Sequence, residues 1–326
     1  MAKKMAIPWE FKYKFAMGGW TAYLKAYHYA IREKYGADAA LEIYERTCKM
    51  DDRIKSFTNA VLKVFELEGN DAETIGRWWD IWHELTGTEG TILEWSKTIC
   101  RVKVTKCPTT TVPKDISGWS IIRAKLITKA INPKAVFERP KAMCAGDSYC
   151  EYVWKIEEST PIKGAEETMT KKRVIPWELK YKFAMGGWAA YLKAYHYAIR
   201  EKYGADAALE IYERISTMDD RAKKGTQTLL NIFNLEGNDI ETIRKWWEIW
   251  WELIGIEGTW LEQSKTCLRN KITKCPYKTE PKDISDWALI FCDINAKTIN
   301  PKATCERPKG MCARDPYCEY VWIIEE

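Results

Sequence analysis

The sequence predicts an α+β fold built twice, and three observations support this prediction. Residues 7–158 align without a gap with residues 175–326, and 106 of the 152 aligned pairs are identical. Within each copy, apolar residues recur first at helical spacing and later with the period of strands. Helices followed by strands are typical of α+β domains. We therefore expect two tandem domains, residues 1–158 and 173–326, each with N-terminal helices and a C-terminal antiparallel sheet of about four strands.

Residues 159–172 separate the copies and are rich in Thr, Lys, Glu and Gly. This composition predicts a flexible linker. Fully extended, it would span about 45 Å. That length allows the copies to pack across a pseudo-two-fold axis, so we expect an intramolecular pseudo-dimer in a monomeric chain.

The helical part of the first copy consists of three predicted segments. Apolar side chains at helical spacing predict a helix from Pro8 to Gly36 and a second helix from near Asp38. Asn70, with Glu73 three positions later, has the pattern of a capping box that opens a third helix. This third helix carries tryptophans on one stripe and is expected in the core: Trp78, Trp79 and Trp82.

The strands follow Gly90. Alternating segments predict strands over residues 91–95 and 98–106, a helix from Asp115 and a strand from Lys134. A hairpin over residues 138–154, repeated as 306–322, then closes each copy.

The turn of this hairpin differs between the copies. Gly146 of the first copy is replaced by Arg314, so we expect a turn that does not require glycine at a positive φ angle. A loop of about three residues would place Cys144 opposite Cys150 on neighbouring strands. Two thiols so placed can bind a metal, form a disulfide or simply pack.

Composition and charge argue against several function classes. The chain has 51 basic and 46 acidic residues, and no basic block interleaved with aromatics suggests nucleic-acid binding. No apolar run reaches the length of a membrane span, which is about 18 residues, and no cleavable leader precedes the first copy. We therefore expect a cytoplasmic protein with neither a nucleic-acid nor a membrane partner. Eleven cysteines without a secretion signal favour reduced thiols or metal ligands over a disulfide framework.

The end of each copy resembles a known family. The run Asn132-Pro-Lys-Ala-Val-Phe-Glu-Arg, followed by Gly146-Asp147 and Cys150 and preceded by Cys107-Pro108, is similar to the C-terminal half of the L-2-amino-thiazoline-4-carboxylic acid hydrolase-like family. It is more distantly similar to the 4-vinyl reductase domain, a ligand-binding module that ends in a Gly-Asp-x-x-Cys hairpin. The resemblance implies an α+β domain with an internal pocket for a small molecule and a tendency to pair. In the second family it also implies a zinc ion held by cysteines and a glutamate.

Three cysteine positions recur in both copies and form the candidate metal cluster. Three thiolates and one glutamate would complete a tetrahedral zinc site. Buried free cysteines that pack as small hydrophobes are the alternative. The candidate ligands are Cys107, Glu138, Cys144 and Cys150 in the first copy and Cys275, Glu306, Cys312 and Cys318 in the second.

His28 and His196 are the only histidines that both copies share. Each lies on the apolar face of a helix with tyrosines one turn away. There it would act as a general base, contact a ligand or be a core histidine satisfied by a tyrosine or a backbone carbonyl. Asp52 and its counterpart Asp220 are the candidate catalytic carboxylates, with a solvated surface position as the alternative.

Aromatic stripes provide candidate ligand contacts, although such stripes more often form the core. The candidates are Tyr27, Trp78, Trp82, Tyr195, Trp246 and Trp250. Two functions remain open. One is a hydrolase that cleaves a C–N or C–S bond in a small polar substrate, which a pocket of ionisable groups with a solvent path would favour. The other is a non-catalytic ligand sensor with a zinc clip, which a closed, aromatic-lined cavity would favour.

The differences between the copies predict unequal roles. Arg123 and Ala124 of the first copy are replaced by Phe291 and Cys292, which changes volume and charge together. We expect the first copy to bind the ligand, because it keeps Gly146 of the hairpin motif.

Overall fold

The structure, a computed structural model, describes residues 7–107, 117–156, 175–276 and 282–325. The predicted linker over 159–172 and the predicted helix start at Asp115 lie outside these residues. In each copy helices precede most of a four-stranded antiparallel sheet, and one further helix is inserted between its strands. The predicted α+β class is confirmed.

The helices occupy equivalent positions in the two copies. Those of the first copy are α1 Trp9–Tyr35, α2 Ala37–Lys49, α3 Arg53–Val64, α4 Ala72–Thr86 and α5 Ser117–Ile131. Those of the second copy are α6 Trp177–Tyr203, α7 Ala205–Thr217, α8 Arg221–Ile232, α9 Ile240–Ile254 and α10 Lys282–Ile299. None of the helices in the described part of the chain combines the length and the apolar character that a membrane crossing requires.

The helix α3 was not predicted, and the cause is the turn before it. Asp51 and Asp52 both have a φ angle of 51°, in the left-handed region. Aspartate tolerates this conformation better than most residues because its short polar side chain can bond locally. The two aspartates therefore end one helix and start another, and Asp219 and Asp220 do the same in the second copy at 54°.

The cap of α4 is Asp71, so the predicted capping role of Asn70 is wrong. The Asp71 carboxylate accepts a hydrogen bond from the backbone N–H of Thr74 at 2.8 Å. This is the bond that an N-cap side chain normally makes to the first turn. Asp239 repeats it in the second copy with Thr242, also at 2.8 Å.

Each sheet has its strands in the same spatial order. The strands of the first sheet are β1 Glu89–Trp95, β2 Ile99–Lys106, β3 Ala135–Lys141 and β4 Cys150–Ile156, in the order β1-β2-β4-β3. The strands of the second are β5 Glu257–Gln263, β6 Cys267–Lys274, β7 Ala303–Lys309 and β8 Cys318–Ile324, in the order β5-β6-β8-β7. The strands β4 and β8 are therefore central, and β4 is buried on both faces from Cys150 to Trp154 rather than on one as its alternation predicted.

The turn of the hairpin also differs from the prediction. Gly146 has a φ angle of 104° and Arg314 one of 73°, so both copies use the left-handed conformation. Cys144 lies on a short 3-10 turn, Met143–Ala145, and not on a strand opposite Cys150. The arginine therefore adopts a backbone conformation that favours glycine.

The chain divides into two compact units that do not coincide with the sequence copies. One unit consists of residues 1–30 and 184–326 and contains the second sheet, and we call it the second-sheet unit. The other consists of residues 31–183 and contains the first sheet, and we call it the first-sheet unit. Most of α1 thus belongs with the second sheet, and the first turns of α6 belong with the first sheet.

Within the second-sheet unit, α1 and α6 pack through glycines. A Cβ atom on Gly19 would lie 2.5 Å from the ring of Trp188, and one on Gly187 would lie 2.8 Å from the ring of Trp20. Only glycine permits such close approach of a tryptophan ring to a helix backbone. The contact fixes the position of Trp188, which lines a cavity of the same unit.

Candidate functional site

A cavity of about 120 Å³ lies inside the second-sheet unit, and its wall is largely aromatic. The aromatic side chains of the wall are Tyr23, Trp188, Tyr212, Trp247, Trp250, Trp251, Trp287, Phe291, Tyr320 and Trp322. Aliphatic side chains and cysteines complete most of the rest. Among the described residues of the wall, Arg307 alone carries a charge.

The helical and strand periods of the surrounding elements determine which side chains face the cavity. On α10, Trp287, Ala288, Phe291 and Cys292 share one face because positions three to four apart lie above one another on a helix. On β6 and β8, alternate residues point to the same face of the sheet. Asn270 and Ile272 of β6 therefore face the cavity together with Cys318, Tyr320 and Trp322 of β8.

The first helix of the chain supplies one wall residue. Tyr23 of α1 hydrogen-bonds with Tyr212 of α7, and burial raises the pKa of Tyr23 to about 12. The ring of Tyr212 stacks on that of Trp287 at 4.8 Å. A residue from the start of the chain is thus built into a site made mainly by the second copy.

The three recurrent cysteines of the second copy, Cys275, Cys312 and Cys318, all line the cavity. The sulfur of Cys318 accepts a hydrogen bond from the backbone N–H of Met311 at 3.2 Å, and burial raises the pKa of its thiol. In the first copy Cys107 and Cys144 lie close enough to Cys150 to raise its pKa further, in addition to burial.

None of the cysteines in the described residues is joined in a disulfide. The described residues contain no group of three or more His, Cys, Asp or Glu side chains arranged to hold a metal ion. Because a thiol with a raised pKa stays protonated at neutral pH, Cys318 is poorly suited to act as a nucleophile. The zinc site stays a prediction.

The glutamates predicted as fourth ligands lie on the outer face of the sheets. Glu138 pairs with Val153 in the register of β3 and β4, one position out of phase with Cys150, Tyr152 and Trp154. Its carboxylate accepts a hydrogen bond from the ammonium group of Lys155 at 2.7 Å. Glu306 occupies the same register opposite Val321, so both glutamates are exposed and turned away from the cysteines.

The shared histidines are completely buried. The Nδ1 atom of His196 accepts a hydrogen bond from Trp287 Nε1 at 3.1 Å, and the two rings meet edge to face at 4.9 Å. His196 is not among the residues lining the cavity and lies behind the Trp287 ring. A tryptophan therefore donates to Nδ1 of this histidine. His28 likewise has no exposed surface.

The candidate catalytic aspartates lie at the surface. Asp52 and Asp220 are exposed at the starts of α3 and α8. Asp220 does not line the cavity. Asp220 is therefore not placed in the wall to act together with His196.

Of the aromatic residues predicted to contact a ligand, Trp250 lines the cavity. Trp246 stacks against it at 5.5 Å and is buried. Tyr27 and Tyr195 stack on each other at 4.8 Å in the core of the same unit. In the first-sheet unit, Trp78 stacks on Trp82 at 5.9 Å.

The wall contains buried N–H groups that have no hydrogen-bond partner among the described residues. They are the indole Nε1 atoms of Trp188, Trp247 and Trp322 and the amide Nδ2 atom of Asn270. Each of these groups is a hydrogen-bond donor, so only a group that accepts hydrogen bonds can pair with it. The equivalent indoles of the first copy, Trp79 and Trp154, also have no hydrogen-bond partner for Nε1 among the described residues, so the amide of Asn270 is the group particular to this wall.

Sequence reasoning missed Asn270. It is fully buried, and the first copy has Val102 at the same position. The signal available in the sequence was an asparagine at a strand position expected to be apolar, where the other copy has a valine. The polar group is specific to the second copy.

The first copy has different side chains in the corresponding region. The guanidinium group of Arg123 lies 3.7 Å from the ring centre of Trp82, and Phe137 packs against Tyr152 and Trp154 at 5.7 and 5.6 Å. The second copy has Phe291 in place of the arginine and Cys305 in place of the phenylalanine. A ring thereby replaces the charge of Arg123, and a smaller thiol replaces the ring of Phe137. The cavity lies beside the second sheet, whereas we expected the first copy to bind the ligand.

We find no match between this chain and a protein-family model, a curated protein or a solved structure. The resemblance to the thiazoline-carboxylate hydrolase-like and 4-vinyl reductase families therefore stays a prediction.

Proposed function

We propose that this chain is a non-catalytic small-molecule-binding protein whose ligand occupies the aromatic cavity of the second-sheet unit. The observation that carries the proposal is an aromatic wall around a cavity that includes the buried amide of Asn270, whose Nδ2 atom has no partner among the described residues. Ligand pockets are mostly apolar with a few placed polar groups, and this wall has that composition. Its size suits a single aromatic ring, because an apolar cavity of about 150 Å³ binds benzene.

The chemistry of the wall favours binding over hydrolysis. Burial raises the pKa of Cys318 and of Cys292, which keeps both thiols protonated. His196 uses Nδ1 to accept from Trp287. Arg307 is paired with Asp286 at 3.1 Å. Hydrolysis of a C–N or C–S bond, as in the resembling hydrolase family, has less support, because no group among the described residues of the wall is placed to act as a base.

The proposal is tested by calorimetric titration of the purified protein with benzene. We expect saturable binding at one site per chain. Ala288→Leu, which fills the cavity from α10, should weaken this binding at least about tenfold, because the added carbons occupy the ligand's volume. Ser120→Leu places the same side chain at the equivalent position of the first copy and should leave the affinity within about twofold.

The parent protein provides the decisive result. If benzene does not bind saturably to it, the cavity is not a ligand site. Equal weakening by Ala288→Leu and Ser120→Leu would also contradict the proposal, because binding would then depend on global stability.

A further inference from the structure

The side-chain amide of Asn270 has a fixed orientation within the wall. Its Oδ1 atom accepts a hydrogen bond from the backbone N–H of Tyr320 at 3.2 Å. Because a backbone N–H can only donate, the oxygen must face Tyr320 and the NH2 group must face away from it. The Nδ2 atom has no partner among the described residues, and Asn270 has no exposed surface.

The fold itself does not require this amide. Val102 occupies the same strand position in the first copy, between equivalent neighbours on β2 and β4. Burying an amide N–H without a partner costs free energy, and valine would avoid that cost. The asparagine is therefore explained better by something that enters the cavity than by the packing of the sheet.

The surrounding groups restrict what the amide can meet. The unpartnered groups of the described wall are N–H donors, from Asn270, Trp188, Trp247 and Trp322. Arg307 is neutralised by Asp286. A ligand with a hydrogen-bond acceptor can pair with one of these donors, whereas a ligand that brings a further donor cannot. Because the arginine is paired, the wall has no net charge that would attract an anion.

We infer that the ligand is a neutral heteroaromatic ring that presents an acceptor atom to Asn270 Nδ2 and carries no donor. This inference rests on the proposed binding function and specifies its ligand class. A buried N–H donor favours a ligand that offers it an acceptor over an analogue that leaves it unpaired. Asn270 is then the residue that selects the ligand, while the aromatic wall provides the affinity for the ring.

Three ring compounds of similar size test the inference: benzene, pyridine, which has an acceptor, and pyrrole, which has a donor. They are titrated calorimetrically at pH 8, where pyridine is neutral, into the parent protein, Asn270→Val and the matched control Val102→Asn. We expect the ratio of pyridine to benzene affinity to fall about tenfold in Asn270→Val, a factor of ten being about 1.4 kcal/mol. Val102→Asn should leave the ratio unchanged, and pyrrole should gain nothing from Asn270.

A ratio unchanged within about twofold in Asn270→Val, with benzene still bound, overturns the inference and leaves the proposed function intact. If benzene does not bind to the parent protein, the proposed function itself is contradicted. If Asn270→Val does not fold, the parent alone decides by nitrogen-15 NMR. Pyridine should then shift the side-chain amide signal of Asn270 more than benzene does, and equal shifts contradict the inference.

Discussion

The ammonium group of Lys12 donates a hydrogen bond to the carboxylate of Glu252, which lies 240 positions later in the chain. Both atoms belong to the second-sheet unit, and the two side chains are only 8% and 20% exposed. In the first-sheet unit, Lys180 pairs with Glu84 at 2.6 Å in the equivalent way. Each pair joins the first helix of one copy to the tryptophan-rich helix of the other. Each unit thus contains a helical segment from the other copy, and a charge pair stabilises this exchange of helical segments in both units.

Removing the charge of Glu252 should therefore destabilise the second-sheet unit. Glu252→Gln leaves Lys12 buried without its carboxylate, and we expect a loss of about 2 kcal/mol in the free energy of unfolding. Denaturation by urea measures this loss. The double variant Lys12→Met with Glu252→Leu should recover most of it, because an apolar pair needs no desolvation of charge. A loss below about 0.5 kcal/mol in Glu252→Gln would place the pair among ordinary surface ion pairs.

The stability of the first-sheet unit should depend on pH through His83. Burial lowers the pKa of His83 to about 4, whereas an unfolded histidine titrates near about 6.5. Between these values the unfolded chain binds a proton that the folded chain does not, so stability falls as the pH is lowered from about 6.5 to 4. The loss should reach about 3 kcal/mol.

His83→Phe should abolish this part of the pH dependence, as followed by thermal unfolding between pH 4 and pH 7. The second copy has Trp251 at the equivalent position, so its unit should lack this contribution. An unchanged pH profile in His83→Phe would mean that other groups cause the acid sensitivity.

Arg314 should be a site of backbone strain. Its φ angle of 73° lies in the left-handed region, which the first copy occupies with Gly146. Arg314→Gly should stabilise the protein by about 0.5–1 kcal/mol, because relief of the strain exceeds the entropy cost of glycine.

The reverse change in the first copy is the control. A Cβ atom on Gly146 would meet nothing within 4 Å, so Gly146→Ala tests the backbone angle without a clash. We expect it to destabilise the protein by about 1 kcal/mol in chemical denaturation. Destabilisation by Arg314→Gly would show that the arginine side chain contributes more than its backbone costs.

Much of the fold follows from local patterns in the sequence. The apolar periods predicted helices and strands close to their observed bounds, from Trp9–Tyr35 to Ala135–Lys141. The helix α3 was missed because its start depends on two aspartates in a rare conformation, which no hydrophobic period records. The helix exchange was missed because periodicity identifies the buried face of a helix and not the element that covers it.

The site was predictable only in part. Four residues predicted to bind a ligand or metal line the cavity: Trp250, Cys275, Cys312 and Cys318. Periodicity cannot show that space remains when side chains from α9, α10 and the sheet meet, because this depends on the sum of their volumes. Asn270 could have been found by comparing the copies position by position.

The exchange of helical segments has a consequence for any attempt to divide this chain. The helix α1 is continuous over 27 residues, and its part up to Ala30 belongs to the second-sheet unit, whereas residues 31–183 form the first-sheet unit. A fragment that ends between the two sequence copies therefore carries a helix whose packing partner, α6, is on the other fragment. Cutting the chain there divides both compact units instead of separating them.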